Sequence, residues 1–345
     1  MKGRTHAAPL LGVTLLLLLA VSVVIVLGVG SVAVPATEVV GVMARRMWLA
    51  DGEHVSVLAD RIVWELRLPR VLTAAAVGAL LAQCGCVLQA LTGNDLADPY
   101  LLGISSGAAV GAVTAIVLGW SLASGPLGVA LSAFVGGLAA LALVLALATG
   151  RSGALPPTRT ILAGVAVGQL AGAFTSFVVM VFGGLSGARE VMTWTLGSFA
   201  GVRASGAWLV CSLAVVTFVA LVSAVRTLDA FTFGETSARS LGVRVGRARW
   251  GLLVGCALAT AVTVSVVGPI GFVGLTVPHI VRLITGPGHL MLLPVSGLAG
   301  AVLLLWSDTA ARSVAPGQEI PVGVITAAIG APVLVALLRR QARRS

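Results

Sequence analysis

Residues that could carry out covalent or metal chemistry are few and widely spaced in this sequence. Lys2 is the only lysine, so the chain lacks the Lys-Ser/Thr pair with which a P-loop binds nucleotide phosphates. His6, His54, His279 and His289 do not have the close spacing of metal ligands. No nucleophile stands beside a base in a catalytic pattern. We therefore expect a non-catalytic chain without a cofactor or a metal site, so that any ATP is hydrolysed by another chain.

The four cysteines offer no chemistry either. They are Cys84, Cys86, Cys211 and Cys256. All four lie in apolar segments, and Cys84 and Cys86 point to different sides of a helix. This placement favours packing between helices over a disulfide or a metal site.

The composition predicts an all-α polytopic membrane protein. Of 345 residues, 58% are hydrophobic and 10% are charged, and runs of roughly 20 apolar residues recur along the chain. Because the first run is followed by many equivalent ones, a cleaved signal peptide is the weaker interpretation. We predict a single transmembrane domain over residues 1–345 with about ten helices. The predicted spans are residues 10–33, 68–91, 99–119, 126–148, 159–182, 205–225, 248–268, 271–285, 291–312 and 321–338.

The net charge of +10 indicates membrane orientation rather than nucleic-acid binding. Basic residues are enriched in the C-terminal tail and in the segment 226–247, and positive charge collects in cytoplasmic loops. With ten spans in lipid, both termini are then cytoplasmic. In the segment 226–247, Glu235 and Arg239 are spaced for a short helix that Gly242 ends, and an ordinary solvated loop is the alternative.

A weak internal repeat relates spans two to five to spans seven to ten. Each set follows an arginine-bearing segment, and each has a polar or proline-rich break after its first helix, at 94–99 and at 268–278. One set begins outside and the other inside. Inverted halves of this kind are typical of transporters.

Small and polar residues indicate helix packing and a pathway. Gly103, Gly107 and Gly111 repeat every four residues on span three, which predicts close helix contact. Span five has a second glycine row together with polar side chains at mid-membrane depth, so we predict that it lines a pathway. The candidate lining residues are Gly164, Gly168, Gln169, Gly172 and Ser176.

Four motifs occur in an order that resembles one family. They are RLPR…NDLADPYLLGISSG (67–107), GETSARSLGVRVGR (234–247), GPIGFVGLTVPHIVRL (268–283) and EIPVG (319–323). The chain is similar to FecCD-type permeases, the type II permease subunits of binding-protein-dependent ABC importers. The resemblance implies alternating access in a cytoplasmic (inner) membrane. It also implies a second permease copy, most simply in a homodimer, two ATPase subunits and a periplasmic or lipoprotein substrate-binding protein.

The resemblance also implies roles for particular residues. Binding-protein docking would use Arg67, Arg70 and Arg312, for which snorkelling to the interface is the alternative. A cytoplasmic gate would contain Asn94, Asp95, Leu96, Pro157 and Thr158, although Asp95 stands where the family has proline. A plain turn is the alternative for the segment with Pro157 and Thr158. ATPase coupling would use Glu235, Arg239, Leu241, Gly242 and Arg244.

The cargo that the resemblance implies is an iron chelate, either a ferric siderophore or heme, and cobalamin is the alternative. Arg189 is a candidate contact for an anionic substrate, but it could equally pair with Glu190 or lie free in a loop. His279 could ligate heme, although packing between helices is the preferred interpretation. An ion-coupled secondary transporter and a structural scaffold are alternatives from other classes. The former needs buried acids at mid-membrane, and Asp308, expected to pair with Arg312 or a neighbouring helix, is terminal in its span.

Overall fold

The structure is a computed structural model that describes residues 4–30, 32–49, 55–150, 153–315 and 318–342. These residues form fifteen α-helices and no β-strand. In chain order the helices are α1 (Arg4–Gly28), α2 (Ala36–Arg46), α3 (Val57–Asp60), α4 (Leu68–Thr92), α5 (Ile104–Leu118), α6 (Gly125–Ala148), α7 (Pro157–Phe182), α8 (Gly184–Leu196), α9 (Ala204–Ser223), α10 (Val225–Thr232), α11 (Glu235–Ser240), α12 (Val245–Val267), α13 (Val273–Thr285), α14 (His289–Ser313) and α15 (Val322–Ala342).

Eight helical segments in the described residues are long and apolar enough to cross a membrane. They contain α1, α4, α6, α7, α9, α12, α14 and α15. The predicted third and eighth spans correspond to α5 and α13, which are apolar but shorter. The all-helical membrane fold is therefore confirmed, whereas a count of ten crossing helices stays a prediction.

The third predicted span is divided in two. Residues Pro99–Leu102 form a separate 3₁₀ turn, and α5 begins only at Ile104. Asp98 accepts a hydrogen bond from the Tyr100 N–H at 2.8 Å, so it caps the 3₁₀ turn and not α5. Gly103 joins the two elements with a φ of +74°, a left-handed conformation that suits glycine.

Pro278 does not break the eighth predicted span. It lies inside α13, where it cannot donate the hydrogen bond that the Gly274 carbonyl would otherwise accept. The Gln89 side-chain amide of α4 donates instead to the carbonyls of Gly274, at 3.4 Å, and Leu275, at 3.1 Å. A buried polar side chain on a neighbouring helix thus satisfies the backbone that proline leaves unpaired.

The segment between α1 and α4 is more ordered than a plain loop. It contains α2, α3 and a π-helical stretch, Arg61–Arg67, that runs directly into α4. Asp60 joins these elements through ion pairs with Arg45 and Arg46. These helices, like α8 and α10, were not predicted.

Helix α4 lies at the centre of the described fold, packed against α14, α9, α13 and α12. Glycine pairs allow these backbones to approach closely. A Cβ atom on Gly78 would overlap the Gly300 carbonyl oxygen of α14, and one on Gly85 would overlap the Gly274 carbonyl oxygen of α13. Two of the three glycines in the predicted row of span three also allow close contact, because Gly107 and Gly111 meet the backbone of α6.

The order of elements repeats as predicted. Helix α4 is followed by a glycine- and proline-containing break, the short α5 and the long α6 and α7; helix α12 is followed by such a break, the short α13 and the long α14 and α15. The inverted relation of the two halves depends on their orientation in the membrane and stays a prediction.

Candidate functional site

A cluster of charged side chains connects α4 and α14 near one end of the bundle. Arg70 of α4 donates from Nη2 to Asp308 Oδ1 at 2.8 Å and from Nη1 to both Glu319 oxygens at 3.0 Å. Arg312 Nε lies 3.3 Å from the other Asp308 oxygen. Asp308 therefore pairs both with Arg312 and with a neighbouring helix, and its side chain is only 2% exposed.

The predicted docking arginines all make contacts within the chain. Arg67 is buried and donates from Nη1 to the Leu27 carbonyl at 2.7 Å, and also to the Val32 carbonyl. Arg312 donates to the Val29 carbonyl at 3.2 Å. These bonds fasten the end of α1 to α4 and α14, so the geometry in this conformation supports a structural role. Binding-protein docking by the three arginines stays a prediction.

The break between α4 and α5 contains three of the predicted gate residues. Asn94 is exposed and accepts a hydrogen bond from the Leu96 N–H at 3.0 Å, which shapes the turn. Asp95 is exposed and pairs with Arg282 of α13. The His279 side chain is only 12% exposed, and its Nδ1 lies 3.9 Å from Asp95. Packing between helices stays the preferred interpretation of this residue. Sequence reasoning missed Arg282, because no spacing links residues so far apart in the chain.

We expect Asp95→Asn to lower stability only slightly, by less than about 1 kcal/mol, because the Asp95 side chain is 52% exposed and water screens its pair with Arg282. The loss should be smaller in high salt, since ions screen the wild-type pair. Thermal unfolding in detergent at low and high salt measures both effects. A salt-independent loss, or an equal loss in Asn94→Ser, which removes no charge, would contradict an ionic contribution.

The second predicted gate element lies at the start of α7. Pro157 is half-buried and Thr158 is exposed at the first turn of this helix. A cavity of about 20 Å³ separates this turn from the α4–α5 break, and its lining includes Asp98, Leu101, Pro157 and Arg249. The two predicted gate elements are therefore neighbours in space. Their role as a gate is untested.

The predicted pathway residues of α7 lie on different faces. A Cβ atom on Gly164 would overlap the Leu101 carbonyl, so Gly164 packs on the 3₁₀ turn and does not line an open face. Gly168 is half-buried near Ser106, whereas Gln169, Gly172 and Ser176 are exposed. The exposed three lie at helical spacing on one side of α7.

The predicted short helix is present in the segment 226–247 as α11. Arg239 and Glu235 form the expected pair at 2.6 Å, and Gly242 follows the helix with a φ of +82°. Leu241 and Arg244 are exposed. Burial acts to raise the pKa of Glu235, but hydrogen bonds and charge from Arg249 and Arg239 outweigh it and hold this pKa below its ordinary value.

Arg189 lies on α8 and not in a loop. It is exposed, and its neighbour Glu190 is exposed as well. No ion pair joins Arg189 to another side chain in the described part of the chain. The structure thus leaves its guanidinium accessible.

Comparisons with known proteins agree with this architecture. The sequence model of the FecCD transport family matches residues 17–340. The vitamin B12 import system permease protein BtuC of Salmonella typhi and that of Salmonella newport are each 37% identical over 91% of this chain and 94% of theirs.

Two solved structures resemble the fold. One, described as an inward-facing conformation of a metal-chelate type ABC transporter, has a TM-score of 0.82 and 30% identity, and the match covers 96% of this chain and 99% of that chain. The other, PsaBC from Streptococcus pneumoniae in complex with Fab, has a TM-score of 0.54 and 18% identity over 78% of this chain and 89% of that chain, so it supports the fold alone.

The family model and the relatives match this helical bundle over nearly its whole length. This match decides against an ion-coupled secondary transporter and against a structural scaffold. ATP hydrolysis belongs to a partner ATPase, and delivery of substrate to a substrate-binding partner. The chain belongs to the FecCD transport family and is the non-catalytic permease subunit of an ABC importer.

Proposed function

We propose that this permease imports a metal chelate across the cytoplasmic membrane, with cobalamin as the first candidate. The observation that carries this order is the 37% identity to permeases described as vitamin B12 import proteins. The family resemblance implied an iron chelate, and the relatives move cobalamin ahead of it. The exposed face of α7 agrees, because Val165, Gln169, Gly172 and Ser176 bear no charge and cobalamin carries no net charge.

An anionic iron chelate, heme or a ferric siderophore, is the second candidate. Arg189 favours it, because an exposed arginine without an ion-pair partner in the described residues is suited to a carboxylate such as a heme propionate. Arg189 precedes α9 on the side that we assign to the outside. An incoming anion would then meet it before reaching the face of α7.

The proposed assembly contains two copies of this chain, two ATPase subunits and one substrate-binding protein, with both termini of the permease cytoplasmic. The exposed side of α7, defined by Gln169, Gly172 and Ser176, would line the pathway between the copies. The α4–α5 break and the first turn of α7 would close that pathway inside, and α11 would contact the ATPase. Binding-protein docking would use the surface around the exposed Glu319, where Arg70 and Arg312 lie.

Uptake measured side by side with cobalamin, heme and a ferric siderophore tests the order of candidates. The permease is reconstituted in proteoliposomes with the ATPase and binding protein of its own transporter. We expect ATP-dependent uptake of cobalamin, and we expect Arg189→Gln to leave that uptake unchanged because cobalamin has no net charge.

The same variant distinguishes the second candidate. If an iron chelate is the cargo, Arg189→Gln should reduce its uptake by roughly tenfold, the loss of about one charge-assisted hydrogen bond. Glu190→Gln is the matched control, since it removes an exposed neighbouring charge of opposite sign. Uptake of heme or siderophore without cobalamin uptake would reverse the order proposed.

A further inference from the structure

The first two turns of α12 hold together two regions that are far apart in the chain. On one side, Arg249 Nη2 lies 3.1 Å from Glu235 of α11. On the other, Arg249 Nη1 donates to the Leu155 carbonyl at 3.4 Å, in the turn that leads into α7. One guanidinium therefore joins the 234–247 segment to the predicted gate element.

Neighbouring contacts keep Arg249 in this place. Its Cζ lies 5.7 Å from the centroid of the Phe231 ring of α10, a cation–π distance. The next residue, Trp250, donates from its indole N–H to the Gly153 carbonyl at 3.1 Å. The Arg249 side chain is only 11% exposed, so water screens these bonds weakly.

The two carboxylate oxygens of Glu235 bind different arginines, one at the surface and one in the interior. Oε1 faces Arg239, whose side chain is 69% exposed, and Oε2 faces Arg249. A partner protein that contacts α11 would therefore act on a carboxylate already bonded to the interior. Arg249 also lines the cavity between the α7 turn and the α4–α5 break, together with Asp98 and Pro157.

We propose that Arg249 is the positioning residue that transmits movement of α11 to the start of α7, so that ATP hydrolysis by the partner and opening of the pathway stay coupled. Arginine suits this role because its planar fork can hold a carboxylate and a carbonyl at once, whereas a lysine ammonium is a single point charge. The inference rests on the proposed contact between α11 and the ATPase.

The ratio of substrate imported to ATP hydrolysed tests this inference in the reconstituted complete transporter. A permease that is merely less stable loses uptake and hydrolysis together, so its ratio stays constant. We expect Arg249→Gln to keep the copurified ATPase and its hydrolysis but to lower the ratio by roughly tenfold. Arg247→Gln is the matched control: it removes the same charge from the same helix, but from an exposed side chain, and should leave the ratio unchanged.

Arg249→Lys covers the case in which Arg249→Gln fails to assemble, because it keeps the buried positive charge. We expect assembly with a low ratio, since lysine cannot hold both ends. An unchanged ratio in the Arg249 variants, or full coupling in Arg249→Lys, would overturn the inference. These outcomes differ from a failure of the proposed function, in which the wild-type transporter itself would import neither cobalamin nor an iron chelate.

Discussion

Asp308→Asn should lower the free energy of unfolding by about 3–5 kcal/mol, because it leaves buried arginines without their shared anion. Asp308 is 2% exposed and pairs with Arg70 and Arg312, whose side chains are 12% and 8% exposed. Neither arginine can regain water without disturbing the contact between α4 and α14. Thermal unfolding of the purified permease in detergent measures the loss, and the yield of folded protein should fall with it.

Glu319→Gln is the matched control for this result. Glu319 binds the same Arg70 guanidinium, but its side chain is 47% exposed, so water compensates for most of the lost charge. We expect a change of less than about 1 kcal/mol. Similar losses in Asp308→Asn and Glu319→Gln would contradict the view that burial makes Asp308 the organising residue of this cluster.

Gly78→Ala is expected to destabilise the protein by about 1–3 kcal/mol, although it adds only one methyl group. A Cβ atom at this position would overlap the Gly300 carbonyl, which is backbone and cannot rotate away. Helices α4 and α14 would have to separate, and the close packing along both would weaken. Thermal unfolding in detergent measures the loss.

Gly255→Ala gives the opposite expectation on another long helix. No atom of another element lies within 4 Å of a Cβ built at Gly255 of α12, and alanine is a better helix former than glycine by about 1 kcal/mol. This variant should therefore be neutral or stabilising. A similar loss in both variants would contradict close contact between α4 and α14 as the cause of the effect of Gly78→Ala.

Local features of the sequence were sufficient for the class of fold and for several elements. Apolar runs predicted the long helices because a membrane segment must satisfy its own backbone hydrogen bonds. The spacing of Glu235 and Arg239 predicted α11, because residues four apart in a helix are neighbours. The same reasoning missed α2, α8 and α10, which are too short or too polar to appear as apolar runs.

Pairs of distant residues could not be predicted in the same way. The sequence indicated that Asp308 needed a partner, and Arg312 followed from its spacing. Arg70, which donates to Asp308 and to Glu319, belongs to a helix more than 200 positions earlier. Gln89 beside Pro278 and Arg282 beside Asp95 are similar cases, because each contact depends on how two distant elements pack together.

The sequence by itself determined that this chain is a helical, non-catalytic membrane protein with the motifs of an importer permease. Its composition forces burial in lipid, and its lack of a Lys-Ser/Thr pair excludes a P-loop. Only the tertiary structure decided which groups individual residues contact: Arg67 bonds to the end of α1, Gly164 packs on a 3₁₀ turn, and Arg249 joins α11 to the start of α7. The physical reason is that a side chain's role depends on which groups surround it, and those groups come from helices that are distant in the sequence.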